Sequence, residues 1–526
     1  MLSRAPKAGP GAPAKRSDVK LERRSAMDNE PSMRRLRIAA QQYVYAVSKL
    51  PYPAAFDFIH TQFARLVAHD FHIEQMAWLN PYELASVANY IAIYGSTSPK
   101  QRPLSNVAES LNALKTLWKL AEDEGDYSDD PAYEATFAMR WVYQQMPFSI
   151  HPLRVARVMS LMRSLLSFSE VESYVRNKLG LSGERLVASC VPLLNSFLKR
   201  SRYDEGDLLR TGASEDVRTV LDLIAANRPA RRAFFNGKLK VKSPVEVPYE
   251  LNTLLRFPII KHESVYYAPY PELIGYAVTR GLFFRFCEED GDVFRKPFVR
   301  SYEADTASIL ASMLPSAEVL TEQDERRLGW KGKTNDVTAI WADCALLIEC
   351  KLSGLFVEAK RTASPEVIIA DVRKQIADGQ SRRGLFQLYD KCEAIRSKTL
   401  PAALMEKYAN VKRFFPVLLL FDAVNFANAA ETIGNIIKDE LGAYGVRDFQ
   451  YQIWHLEELS WLAECGGDEA MAWVVEKFSP LSETVDLNTF VANRSGREYL
   501  RPAMYMPEGD TRAYRILKRL STKYIA

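Results

Sequence analysis

The stretch that decides the fold is residues 336–351, which read DVTAIWADCALLIECK. Two apolar runs of strand length flank the dipeptide Ala342-Asp343. If these runs form an antiparallel hairpin that closes on the dipeptide, Asp336 lies directly opposite Glu349, with Cβ atoms about 4.5–5.5 Å apart. A one-residue slip would break this pairing. The stretch therefore predicts a hairpin that brings two carboxylates together.

The hairpin ends in Glu349-Cys350-Lys351 after a run of apolar residues. Residues two positions apart on a strand share a face, so Glu349 and Lys351 project from the same side. Charged groups at the end of a buried strand must pair, bind a metal or reach a cleft. Two carboxylates at the distance expected for Asp336 and Glu349 repel one another unless a cation lies between them. Mg²⁺ is bound by such oxygen ligands, so the pattern predicts a Mg²⁺ site.

The elements around the hairpin indicate an α/β domain with a central mixed sheet flanked by helices. Strands separated by helices, with inner strands apolar on both faces, are typical of a sheet covered on both sides. A helix is predicted to begin near Ser301 and to stop at Pro315. The other predicted elements are strands at 318–320, 415–421 and 451–454 and helices at 365–397 and 425–441.

Asp336 together with Glu349-Cys350-Lys351, in this order of elements, resembles the PD-(D/E)xK nuclease superfamily, which has the restriction-endonuclease-like fold. The resemblance implies that Asp336, Glu349 and the Cys350 carbonyl bind Mg²⁺, for which Mn²⁺ substitutes. It also implies that Lys351 assists the attacking water. Asn335 stands where the family often has proline.

The same resemblance assigns roles to two further residues and to the domain. It makes Glu303 an auxiliary catalytic acid, and it places Gln387 on the following helix in contact with substrate or water. It covers about residues 299–465, a third of the chain. It implies a DNA endonuclease that leaves a 5′-phosphate and a 3′-hydroxyl, in a setting such as bacterial antiviral defence or genome maintenance.

The length of 526 residues predicts several domains, because one hydrophobic core does not extend over so long a chain. The apolar period is helical from about residue 34 to 235, and the pattern changes near 240. We expect a multidomain protein with an all-α N-terminal domain before the α/β domain. The expected parts are a disordered basic tail (1–33), an all-helical domain (34–235), a connecting α+β subdomain (236–298), a nuclease-like domain (299–470) and a C-terminal basic extension (471–526).

Within the connecting subdomain, short apolar runs between proline and glycine residues are typical of strands. The pattern predicts strands at Leu254–Ile260, Val265–Ala268 and Leu282–Cys287, and a helix at Pro271–Arg280.

Composition favours a cytoplasmic, non-membrane protein. Apolar residues make up 47% and charged residues 25% of the chain. No apolar run approaches the roughly 18 to 20 residues that span a bilayer, and no apolar signal core follows the N-terminal charges. The six cysteines show neither a CxxC pair nor regular spacing, so we expect reduced thiols rather than a zinc site or a disulfide framework.

Positive charge is concentrated at the two ends of the chain. Residues 1–37 carry ten basic and four acidic residues, so the rest of the chain is close to neutral against a total of +4. Residues 491–526 carry eight basic and three acidic residues with four interleaved tyrosines, a composition that suits phosphate contact and base stacking. An amphipathic terminal helix explains this segment equally well. The candidate substrate-binding residues there are Arg515, Lys518 and Arg519.

Several other motifs lack a feature that their chemistry requires. A second ExK, Glu358-Ala359-Lys360, follows too short an apolar lead. The run Gly329-Trp330-Lys331-Gly332-Lys333-Thr334 resembles a phosphate-binding loop, but position 327 is arginine where a P-loop needs glycine. His69 and His72 have no evident third ligand, and helix-surface or core positions explain them better.

Three alternatives to a DNA nuclease stay open on the sequence. The Asp336, Glu349 and Lys351 side chains could form a structural salt-bridged cluster. The chain could be an inactive nuclease-fold scaffold that binds nucleic acid or, through its helical domain, a protein partner. It could also be a toxin that cuts RNA with the same site. The sequence leaves open both homo-oligomerisation and any activating signal.

Overall fold

The structure is a computed structural model of the chain. It describes residues 31–68, 81–98, 102–103, 106–125, 152–212, 214–239, 252–352, 365–421, 430–479 and 487–496. In these ranges the protein is mostly helical and contains mixed sheets of four and five strands. No helix among them is both long enough and apolar enough to cross a membrane.

The first part of the described chain is a layer of amphipathic helices. Leu36, Tyr43 and Val47 recur at helical spacing and are fully buried. They pack with later residues such as Ile260 and Tyr267, so this core also includes strands from beyond residue 258. The helices are α1 (Pro31–Ser48), α2 (Ala55–Ala68), α3 (Pro81–Tyr94) and α4 (Val107–Gly125).

A second group of helices carries two short strands, which corrects the expectation that this segment is entirely helical. Strands β1 (Arg202–Asp204) and β2 (Ala225–Asn227) join β3 (Ile259–His262) and β4 (Val265–Tyr267) in a sheet of order β1-β4-β3-β2. Strands of three residues are too short to show an alternating pattern, so they cannot be recognised from the sequence. The helices are α5 (Pro152–Leu166), α6 (Ser169–Leu179), α7 (Gly183–Lys199), α8 (Glu205–Leu209), α9 (Ser214–Ile224) and α10 (Arg228–Phe234), followed by a π-helical turn at Phe235–Leu239.

The strand predicted at Leu282–Cys287 is wrong, because these residues lie in helix α12 (Arg280–Asp290). Leu282 and Phe286 are one helical turn apart and both are fully buried. A short apolar run cannot be assigned to strand or helix by periodicity alone. The strand predicted at Leu254–Ile260 is likewise a 3-10 turn (Thr253–Leu255) followed by β3.

Helix α13 (Asp292–Met313) begins nine residues before the predicted start at Ser301. Phe294 and Phe298 continue the buried face of Tyr302 toward the N-terminus at the i, i+4 spacing of a helix. A short helix α11 (Glu272–Ala277) precedes α12 and takes the place of the predicted helix at Pro271–Arg280.

The sheet predicted around the hairpin is present, with five strands in the order β11-β10-β7-β6-β5. Strands β7, β10 and β11 are parallel to one another, while β5, β6 and β7 are antiparallel neighbours. The sheet is therefore mixed, as expected. Its strands are β5 (Glu318–Thr321), β6 (Val337–Trp341), β7 (Cys344–Lys351), β10 (Arg413–Leu420) and β11 (Gln452–His455).

Both faces of this sheet are buried. On β7, Leu346 and Ile348 belong to the core that α13 covers. Ala345 and Leu347 alternate with them and belong to a second core on the opposite face. This alternation follows from the period of two along a strand, and it leaves only the ends of the strands open to a site.

The predicted helix at 365–397 is interrupted, because a short hairpin divides it. Gly384 has φ +64, and a Cβ there would overlap the Ile376 carbonyl, so glycine allows the chain to turn at this position. The sequence on either side keeps a helical pattern, which is why the sequence predicts a single helix. The pieces are α15 (Pro365–Ile376), strands β8 (Ala377–Asp378) and β9 (Arg383–Gly384), and α16 (Leu385–Arg396).

The remaining helices surround the sheet. Trp454 on β11 and Phe478 after α20 extend the core on the α13 side, which reaches from Met159 to Val491. The helices are α14 (Glu322–Arg327), α17 (Ala402–Lys407), α18 (Ala430–Ala443), α19 (Leu456–Gly466), α20 (Ala470–Lys477) and α21 (Leu487–Ser495), with a 3-10 turn at Gly467–Glu469.

Candidate active site

The hairpin of β6 and β7 has the register predicted from the sequence. Trp341 pairs with Cys344 at the turn, and the ladder continues to Val337 opposite Ile348. The two-residue turn closes with Ala342 at φ 47, the left-handed conformation that such tight turns require. Asp336 lies one position beyond the last pair, at the open end of the hairpin.

Asp336 is anchored to the end of β7 through both its backbone and its side chain. Its N–H donates to the Ile348 carbonyl at 3.0 Å. Its Oδ2 accepts a hydrogen bond from the Cys350 N–H at 2.7 Å. Because Ile348 and Cys350 flank Glu349, these two bonds hold the Asp336 carboxylate next to Glu349.

Glu349 is the most enclosed carboxylate of the site, with 2% of its surface exposed. Lys351 donates from Nζ to its Oε1 at 2.6 Å, which shows the shared face predicted for the two residues. Gln387, on α16, donates from Nε2 to its Oε2 at 3.2 Å. Both carboxylate oxygens are therefore held by side chains.

Gln387 also connects two other segments to the site. Its Nε2 lies 3.2 Å from the Thr334 carbonyl, just before Asp336. Its Oε1 accepts a hydrogen bond from the Gly384 N–H at 3.2 Å, at the start of its own helix. The orientation of the amide is thereby set by the backbone on both sides.

Glu303 reaches the site from α13, on the opposite face of the sheet from Gln387. The preceding residue, Tyr302, donates its hydroxyl hydrogen to the Leu419 carbonyl at 3.0 Å and fixes α13 against β10. The Glu303 side chain is half-buried, and after burial the charges of Asp336 and Lys351 are among the causes that set its pKa. The carboxyl end of β7 is thus where residues from both faces approach one another.

Without a bound metal ion, burial and mutual repulsion oppose the ionisation of the carboxyl groups of the site. Burial, followed by the neighbouring Asp336, raises the pKa of Glu349 to about 8. Burial and then Asp336 also raise the pKa of Glu303 to about 8. Burial raises the pKa of Asp336 to about 6, against the hydrogen bond from the Cys350 N–H. A cation would relieve all three shifts.

Lys351 is the cation already present. Burial acts to lower its pKa, but the combined attraction of Glu349, Asp336 and Cys350 outweighs burial and raises it. The ammonium is therefore charged, and 23% of the side chain is exposed. Because Lys351 alone leaves the pKa values of the three carboxyl groups raised, a further cation would be needed to hold all three ionised at neutral pH.

The donor set fits Mg²⁺. Among the described residues, no group of three or more His, Cys, Asp or Glu side chains is arranged to hold a metal ion. Mg²⁺ does not need such a group, because it binds through one or two carboxylates together with carbonyls, waters and phosphate oxygens. Asp336 and Glu349 offer carboxylates, and Cys350, which follows Glu349 directly and whose N–H binds Asp336 Oδ2, offers its backbone carbonyl. These hard oxygen donors suit Mg²⁺ or Mn²⁺.

The Cys350 thiol takes no part in this donor set. Its Sγ lies 3.7 Å from Thr306 Oγ1 on α13, on the other side of β7 from the Glu349 and Lys351 side chains. Burial raises the pKa of the thiol well above its ordinary value, so it is not a thiolate ligand.

Sequence reasoning missed a buried polar network beside the site. Glu325 on α14 accepts hydrogen bonds from Lys391 Nζ at 2.5 Å and from the Tyr408 hydroxyl at 2.6 Å. The Thr334 hydroxyl also donates to Glu325. Lys391 lies one turn after Gln387 on α16 and is fully buried. A lysine on the otherwise apolar face of that helix was the signal in the sequence.

The structure brings together the predicted residues Glu303, Asp336, Glu349, Lys351 and Gln387. The remaining candidates, Arg515, Lys518 and Arg519 in the C-terminal extension, lie outside the described residues, as do the set-aside motifs at 69–72 and 358–360.

No protein-family model matches this chain, and neither a curated protein nor a solved structure matches it.

Proposed function

We propose that this protein is a Mg²⁺-dependent endonuclease of the PD-(D/E)xK type that hydrolyses phosphodiester bonds in DNA. The observation that supports it most directly is the meeting of Glu303, Asp336, Glu349 and Lys351 at the carboxyl end of β7. A cluster of buried acids with strongly shifted pKa values is a candidate functional site.

The energetics of the cluster argue against a purely structural role. Burying a carboxyl group opposes folding unless partners compensate. Glu349 is almost fully buried, yet its pKa is raised to about 8 in spite of Lys351. A salt-bridged cluster built for stability would instead lower the carboxyl pKa. The arrangement is better suited to binding a cation that arrives with the substrate.

The chain's own groups divide the work of hydrolysis. Asp336, Glu349 and the Cys350 carbonyl would hold Mg²⁺, which when bound polarises a phosphate and lowers the pKa of a water. Lys351, charged and partly exposed, stabilises negative charge developing on the phosphate. Gln387 keeps the Glu349 carboxylate oriented. Glu303, whose pKa burial raises to about 8 when no metal ion is bound, is the auxiliary acid beside Asp336.

Cleavage of plasmid and single-stranded DNA by wild type and Lys351→Ala tests the proposal. We expect nicking of plasmid with Mg²⁺ or Mn²⁺, none with EDTA, and a loss of at least about 10²-fold in Lys351→Ala, the scale for removing one preorganised charge-stabilising group. Lys412→Ala is the matched control, because this exposed lysine precedes β10 at the opposite end of the sheet. It should cut like wild type.

Each other outcome contradicts part of the proposal. Metal-dependent cutting that survives Lys351→Ala means that the site lies elsewhere. Cleavage of RNA alone identifies a ribonuclease that uses the same site. Binding of nucleic acid without cleavage of DNA or RNA, in all metal conditions, overturns the enzyme in favour of a scaffold.

A further inference from the structure

Two basic segments meet beside the candidate active site. The loop 329–333 leads into Thr334 and Asp336, and the turn between β8 and β9 leads into α16. Lys333 Nζ donates to the carbonyls of Ser381 and Arg382, with 3.3 Å to the latter, and so joins the two segments. We call residues 329–333 together with 378–384 the basic rim.

The basic rim borders the reacting groups through Gln387. The Gly384 N–H, at the end of the rim, donates to Gln387 Oε1 at 3.2 Å. The Thr334 carbonyl, next to the other rim segment, accepts from Gln387 Nε2. The same Nε2 lies 3.2 Å from Glu349 Oε2. A polymer bound at Glu349 would therefore pass over or beside the rim.

The charges of the rim are available to a ligand. Lys331 and Arg383 are exposed, and neither forms an ion pair in the described part of the chain. Among the residues that the structure describes, Lys333 Nζ binds the Ser381 and Arg382 carbonyl groups and no carboxylate. Arg382 is paired with Asp390. The acid of the rim, Asp378, lies opposite Arg383 in the β8–β9 pair and accepts hydrogen bonds within the turn from the Ser381 N–H at 3.0 Å and from its hydroxyl.

The rim is held in shape by packing and hydrogen bonds. Trp330 donates from Nε1 to the Lys333 carbonyl at 3.1 Å and closes the loop. Its ring lies over the buried Lys391 ammonium, 5.2 Å from the centroid. A Cβ at Gly332 would overlap the same ring. A preorganised loop loses less conformational entropy on binding than a flexible one.

We propose that the basic rim is the surface that binds the DNA backbone next to the scissile bond, with Lys331 and Arg383 contacting separate phosphates. This rests on the proposed nuclease function and adds the substrate's position to it. Exposed cations with few compensating acids fit a polyanion. The loop lacks the glycine of a P-loop at position 327 and follows no buried strand, so a phosphodiester chain fits it better than a nucleotide.

Salt-dependent binding of a DNA duplex tests the rim. The full chain is titrated in EDTA, so that no cutting occurs, and Kd is measured by fluorescence anisotropy at several salt concentrations. The logarithm of the association constant falls linearly with the logarithm of the salt concentration, and each phosphate contact on duplex DNA makes this slope more negative by about 0.9. The double variant Lys331→Ala/Arg383→Ala removes two contacts and should make the slope less negative by about 1.8. Lys412→Ala should leave the slope unchanged.

The outcomes separate this inference from the proposed function. An unchanged slope in the double variant, or an equal reduction in Lys412→Ala, overturns the rim even if the protein cuts DNA. A reduced slope supports the rim, and if the protein then cuts nothing, the nuclease proposal alone is lost. Tighter binding of an RNA duplex than of the DNA duplex, with the same dependence on Lys331 and Arg383, overturns DNA as the partner.

Discussion

At the scale of single residues, buried carboxyl groups differ in the partners that surround them. Glu349 receives hydrogen bonds from Lys351 and Gln387. Glu272, in the first turn of α11, is 3% exposed, and its Oε2 has no hydrogen-bond partner in the described part of the chain. Burial raises the pKa of Glu272 to about 7. Glu272 is therefore buried without the lysine and amide partners that surround Glu349.

The isolated position of Glu272 predicts how stability depends on pH. As pH rises from the ordinary value of 4.5, the unfolded chain loses this proton first, while the folded chain keeps it to about 7. The free energy of unfolding therefore falls over this window and stays lower above it, by on the order of 3 kcal/mol from this group. Glu272→Gln, which does not titrate, should make the total fall between pH 4.5 and pH 8 smaller by this amount in urea unfolding, because Glu349, Glu303 and Asp336 also have raised pKa values and still contribute.

Glu406→Gln is the control for this measurement, because Glu406 is exposed. It should retain the pH dependence of wild type. A fall in stability of the same size in Glu272→Gln would show that other groups cause it.

At the scale of elements, the buried Glu325–Lys391 pair connects α14 and α16, which flank the site. Burial lowers the pKa of Lys391, although Glu325 acts to raise it. Removing one partner of a buried pair leaves a charge uncompensated, so Lys391→Met should destabilise the protein by about 3–5 kcal/mol. The double variant Glu325→Leu/Lys391→Met should recover much of this loss, as measured by urea unfolding in a double-mutant cycle.

The exposed pair Lys407–Glu318, at 2.6 Å, provides the control for that cycle. Lys407→Met should cost no more than about 1 kcal/mol, because solvent screens such pairs. If the two substitutions at Glu325 and Lys391 act additively, the pair does not couple the helices.

At the scale of the whole molecule, one hydrophobic core crosses the boundary expected near residue 299. Phe298 packs against Phe283 of α12 in a tilted arrangement at 4.9 Å and edge-on against Phe421 after β10 at 5.2 Å, both between ring centroids. Phe298→Ala should cost about 3–5 kcal/mol. We expect this loss in a single urea transition seen alike by far-UV circular dichroism and tryptophan fluorescence.

Val293→Ala on the same helix is the control, because 69% of Val293 is exposed. It should change stability by no more than about 0.5 kcal/mol. Two separated transitions, with only one moved by Phe298→Ala, would mean that the helices and the sheet unfold independently.

Much of the hairpin could be predicted because the deciding interactions are local. A two-residue turn at Ala342 sets every pair of the β6–β7 ladder, and the period of two places Glu349 and Lys351 on one face. The mixed sheet could be predicted for a related reason, since strands buried on both faces have apolar residues at every position.

Elements whose identity depends on distant contacts could not be predicted. Leu282–Cys287 is apolar in a way that suits strand or helix, and packing against α13 selects the helix. The break before α16 depends on the left-handed Gly384, which lies against the Ile376 carbonyl.

The candidate site shows the same division. Asp336, Glu349 and Lys351 lie within sixteen residues of one hairpin, so turn geometry and strand alternation alone place them together. Glu303, Gln387 and Lys391 come from helices on different faces of the sheet, and their positions follow from how α13 and α16 pack on β7 and β10. Packing depends on the shapes of many side chains at once, whereas hairpin register depends on a count of residues.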